Sequence, residues 1–176
     1  MSNILKSKRK ESSFQIYIDW LKLRQRLTEY VSSDFNDSKI SYNEPNSLKY
    51  PNYLYFLFDH ERKQLLNLID KIQDNITHAN SIFPTDLAEY NYRRYLQSLA
   101  IGDVNNLIQE LEYVSRNYNV KADKYINLIP LFKSFLTKLK GWRASTKRYL
   151  SILPKDQQKL VESELTLLNN EVGHNL

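Results

Sequence analysis

His60, His78 and His174 are the side chains of this 176-residue sequence whose ordinary pKa suits proton transfer near neutral pH. His60 opens "HERKQ", which lacks the second histidine of a zinc-protease helix. No set of Asp, Glu and His has metal-ligand spacing, so no metal site is expected. The sequence contains no cysteine, which excludes disulfides and thiolate metal centres. It has no glycine-rich phosphate loop. None of the three histidines has the preceding arginine that helical nucleases use. These residue types argue for binding over catalysis, and no cofactor is expected.

The side chains suited to binding are basic. Lysine and arginine number 25 against 20 acids, a net charge of +5. Lys6, Lys8, Arg9 and Lys10 cluster at the start. Lys138, Lys140, Arg143, Lys147 and Arg148 cluster late, with no acid between 138 and 148. Such patches either attract a polyanion such as RNA or form a solvated surface.

Arg93 and Arg94 are adjacent in a helical pattern. One reading pairs Arg93 with Glu89 in solvent and Arg94, at a buried edge, with Glu61. The other gives one of them a phosphate or a partner carboxylate, which a guanidinium fork fits. Gln97 shares the Arg93 face and is expected to be solvated. Gly102 costs about 1 kcal/mol against alanine inside a helix, which predicts a close helix crossing there. Gly141 either ends its helix or permits a close approach. Trp142 is expected as a core or interface anchor, with base stacking beside Arg143 the alternative.

The elements that must position these residues read as helices. Ile16, Trp20, Leu23, Leu27 and Tyr30 step by fours and threes, predicting a first helix from Ser13 to about Phe35. Residues 36–52 are polar with two prolines and read as a loop. A second helix, starting at Asn52 or Tyr53, carries Leu54, Leu57, Leu65, Leu68, Ile72, Ile76 and Ala79, with Glu61 in register, and ends near Asn80. A third is expected from Pro84 to about Asn117, capped within 81–83, with Arg94 on the face of Leu87, Ile101, Val104, Leu107, Leu111 and Val114. A fourth, from near Ala122 past Trp142, contains Pro130 and should kink there. Pro154 reopens the chain toward a short amphipathic helix with Leu160, Val161, Leu165 and Leu168. The expected fold is all-α: an antiparallel four-helix bundle with a short C-terminal fifth helix. The divisions are a basic flexible tail over 1–12, the bundle over 13–150 and a helical extension over 151–176.

Several stretches resemble the Avd-type accessory proteins of diversity-generating retroelements. They are "ANSIFPT" (79–85), "EYNYRRYLQ" (89–97), "AIGD" (100–103), "LIQELEYV" (107–114) and "LKGWRAS" (139–145). "RKESSFQIYIDWLKLRQRLTEYVSSDF" (9–35) is similar to that family's opening helix, and "ERKQLLNLIDKIQDNITHAN" (61–80) to its second. Tyr92 stands where the family pattern has an acid before the two arginines. The resemblance implies a four-helix bundle assembled as a basic homopentameric ring. It implies binding to the element's reverse transcriptase and template-repeat RNA in support of mutagenic cDNA synthesis, without polymerase activity of its own.

The expected RNA- or partner-binding residues are Arg93, Arg94, Lys138, Lys140, Arg143, Lys147 and Arg148, with candidate tail contacts at Lys8, Arg9 and Lys10. No apolar run approaches the length of a membrane span, and the N-terminus lacks a signal-peptide core, so a soluble, cytoplasmic protein without a membrane partner is expected. The runner-up is a stand-alone interaction module like the four-helix bundles encoded by ribosomal-RNA intervening sequences.

Overall fold

The computed structural model describes residues 3–34, 51–118 and 122–160, the side chains of 3–14, 34, 51–56 and 58 excepted. Four long helices pack together: α1 (Asn3–Asp34), α2 (Pro51–Ser81), α3 (Leu87–Asn117) and α4 (Ala122–Ser145). A 3-10 helix, Thr146–Ile152, continues α4, and residues 155–160 are again helical. No strand occurs among the described residues. The fold is an all-α bundle with a short C-terminal helix.

The absence of glycine and proline before Pro45 leaves nothing to break α1, which begins at Asn3 and not at Ser13. The expected tail of 1–12 is thus helical from residue 3, carrying Lys8, Arg9 and Lys10 on its first turns. Their side chains and that of Leu54, the loop over 36–50 and everything after Leu160 lie outside the described residues.

Pro84 does not start α3, and 81–83 do not cap it. The cap is Asp86, whose carboxylate accepts from the Glu89 amide at 2.8 Å. Glu89 reaches back to accept from the Thr85 amide and hydroxyl at 2.8 and 2.9 Å. This reciprocal pair satisfies otherwise orphaned donors and places an acid on the positive end of the helix dipole. Pro84 is buried in the preceding turn. In α4, helix runs on both sides of Pro130. Pro130 lies on the exposed side of α4, as does Ile126, whose carbonyl it leaves without a helical donor.

The core lies between the four helices. Trp20, fully buried, packs its ring 5.6 Å from Phe135 and 6.4 Å from Phe132. Arg24–Asp70 ties α1 to α2, Asn75–Asp103 ties α2 to α3, and Lys138–Asp19 ties α4 to α1. These pairs set α1 beside α2 and α4, across the bundle from α3.

A second, smaller cluster forms at one end from Tyr90, Tyr149 and Leu153, with Phe83, Leu87 and Leu150 against it. The Gln157 side chain accepts from the Leu87 amide at 2.8 Å, completing the start of α3. A division between bundle and extension at Leu150 therefore cuts through the 3-10 helix, and residues as far as Gln157 belong to the packed unit.

Candidate partner-contacting surface

Arg93 is 1% exposed. Its Nη1 donates to the carbonyls of Ala79 and Ile82, both at 2.6 Å. The last carbonyls of a helix have no intrahelical partner, and the helix dipole is negative there. Arg93 of α3 thus closes the C-terminus of α2. Its guanidinium lies 5.4 Å from the ring centroids of both Trp142 and Tyr149, distances at which a cation gains from an aromatic face. The side chain joins α2, α3, α4 and the 3-10 helix.

Two expectations about the arginine pair are thereby corrected. Arg93, not Arg94, is the buried member, and Glu89 is occupied by the Thr85 cap. Arg94 is half-buried, donates to the Tyr90 hydroxyl at 3.0 Å and stacks over that ring at 5.6 Å. Its anticipated partner, Glu61, is a buried carboxyl at the far end of α2. Burial first, and then the Glu110 charge, hold Glu61 above the usual carboxylate range. Burial likewise raises the Asp103 carboxyl, which accepts from Asn75.

Gln97 is fully buried, not solvated, and accepts from the Thr146 hydroxyl at 3.0 Å. Gly102 and Gly141 are exposed, and an added Cβ at either would meet nothing within 4 Å among the described residues. No close crossing exists at either site among the described residues, and α4 continues past Gly141 to Ser145. Trp142 is a core anchor, 4% exposed.

The remaining basic residues divide between two edges. Lys138 is ion-paired with Asp19 at 2.6 Å, on the α1 side of α4. Lys140, two residues on, is turned about 200° around the helix and shares its flank with Arg143. Lys140 and Lys147 are exposed, while Arg143 and Arg148 are half-buried, Arg148 stacking on Tyr149 at 5.3 Å. Among the described residues none of these four forms an ion pair. Arg93, enclosed by its own chain, drops out of the set offered to a partner. Arg94, Lys140, Arg143, Lys147 and Arg148 remain at the α4 end of the bundle, with Lys138 on the opposite flank.

Sequence reading missed Tyr149, the ring that covers Arg93. A signal for it exists: Phe135, Leu139, Trp142, Thr146, Tyr149 and Leu153 continue one alternation of fours and threes. It also missed Lys22 and Arg26, which line a groove between α1 and α4.

Among the described residues no three His, Cys, Asp or Glu side chains could jointly hold a metal ion, and no helix is long and apolar enough to cross a membrane. No family model, no curated protein and no solved structure matches the chain.

Proposed function

We propose that the chain is a non-catalytic accessory subunit of a diversity-generating retroelement, working as a homopentamer that binds the element's reverse transcriptase and its structured template RNA. The observation that carries this reading is the uncompensated basic edge of Lys140, Arg143, Lys147 and Arg148, beside the quoted motifs. Cations with no acid among the described residues to neutralise them are available to phosphates, and binding of that kind weakens steeply with salt. The test is size-exclusion chromatography with light scattering, together with RNA binding across a salt series. A monomer without RNA affinity at low salt would overturn the proposal.

A second reading, a stand-alone protein-interaction module, draws on the outer face of α3. Tyr92, Tyr95 and Leu99 are exposed there, at 54%, 57% and 37%. Absence of a reverse transcriptase gene beside the chain's own gene would favour this reading.

A further inference from the structure

An open groove of about 240 Å³ runs between α1 and α4, away from the Lys140–Arg148 edge. Its floor is apolar: Phe135 is buried, Leu23 is half-buried, and Leu131 is 37% exposed. Its rim is cationic. Lys22 and Arg26 stand one helical turn apart on α1, both exposed to water, and Lys138 faces them from α4. Arg26 has no ion-pair partner among the described residues.

Asp19 closes one end. Burial works to raise its carboxyl, but hydrogen bonds from Lys138 and Gln15 outweigh this and hold it below the usual range. Asp19 thus stays charged and keeps Lys138 across that end of the groove. One acid against three cations leaves the groove with an excess of two positive charges.

We propose that this groove docks an acidic amphipathic helix of a protein partner, with carboxylates one turn apart on Lys22 and Arg26 and an apolar side chain over Leu131. The spacing of the two α1 cations matches carboxylates at i and i+4 of a second helix, and the apolar floor suits the opposite edge of the same stripe. An RNA backbone would satisfy the cations equally well but would leave Leu131 in water, so the floor decides for the peptide. A partner helix laid here would complete the packing that α1 leaves open against α4.

The test uses the full chain and three fluorescently labelled probes: a helical peptide with glutamates four residues apart beside leucines, the same peptide with glutamine for glutamate, and a single-stranded RNA oligonucleotide. The acidic peptide should bind, and the glutamine peptide should bind at least tenfold more weakly. Lys22→Gln with Arg26→Gln, and separately Leu131→Ser, should each weaken the acidic peptide by tenfold or more, with the thermal midpoint as the folding control. RNA binding, which the proposed function assigns to the other edge, should persist in Leu131→Ser. No binding of the acidic peptide, equal binding of the glutamine peptide, or indifference to Leu131→Ser would overturn the proposal while leaving the RNA-binding reading standing.

Discussion

The Arg93 guanidinium stands 5.4 Å from the ring centroid of Trp142, and the same group caps the last carbonyls of α2. A side chain of one helix thus fixes the end of a second and packs on a third. Replacing it leaves buried carbonyls unsatisfied and opens a void beside two aromatic rings. Arg93→Ala should cost about 3 kcal/mol in urea unfolding, and Arg93→Lys, which loses the planar fork, somewhat less. For a chain of this size that is roughly a 6–12 °C fall in the thermal midpoint. A near-neutral Arg93→Ala would show that the site relaxes freely.

The Gln97–Thr146 hydrogen bond is buried and joins α3 to the turn that follows α4. Gln97→Leu and Thr146→Val should each destabilise, and the double variant should lose less than their sum. The coupling expected from a double-mutant cycle is about 1 kcal/mol. Zero coupling would mean that the two groups are satisfied separately.

Glu61 gives stability a pH dependence of definite sign. Its carboxyl is held above the ordinary value by burial and by Glu110, so the folded chain binds its proton more tightly than the unfolded chain does. The contribution is complete at low pH, below the unfolded value near 4.5, and is lost as pH rises through the raised folded value. Glu61→Gln removes the loss. It should stabilise the protein at pH 7 by on the order of 1 kcal/mol and flatten the decline of stability above the ordinary glutamate range. Denaturant midpoints at several pH values will decide it.

Arg143→Glu with Lys147→Glu should reduce RNA binding. The salt slope of log K should fall by about 0.7 for each single-strand phosphate that the variant no longer neutralises. Neither residue is fully buried nor ion-paired among the described residues, so the thermal midpoint should hardly move. Unchanged RNA binding would remove this edge from the proposed interface.

Gly102→Ala should stabilise the isolated chain by about 1 kcal/mol, because it improves helix propensity and the new methyl meets nothing among the described residues. If the same change breaks up an assembly seen by light scattering, the glycine serves contact with another copy.

The helices could be read from the 3-and-4 spacing of their apolar residues, as in Ile16, Trp20, Leu23 and Leu27. The α3 stripe was harder. Its buried residues include Tyr90, Arg93, Gln97, Ala100, Val104, Leu107, Leu111 and Val114, a regular alternation with two polar residues inside it. An apolar pattern skips those two and passes from Leu87 to Ile101, each seven residues from Arg94, which puts the wrong arginine in register. The error has a physical source: a polar side chain can occupy a core position when hydrogen-bonding partners lie within reach, and those belong to distant parts of the chain. The partners here are the Ala79 and Ile82 carbonyls for Arg93 and the Thr146 hydroxyl for Gln97. The α3 cap was legible in "DLAE", since an acid three residues after Asp86 is the signature of a reciprocal cap. The Lys22–Arg26 rim was not, because only the packing of α1 on α4 gives those two cations an apolar floor.

The roof over Arg93 is made by Tyr149, and the first amide of α3 is completed by Gln157. Synthesis runs from N- to C-terminus, so the turn between α2 and α3 emerges from the ribosome some 70 residues before the side chain that finishes it. Until then a nascent chain holds a charged arginine and a tryptophan without their cover. A chain cut after Ser145 would lack both the Tyr149 ring over Arg93 and the Gln157 side chain on the Leu87 amide, so its turn between α2 and α3 would stay uncovered.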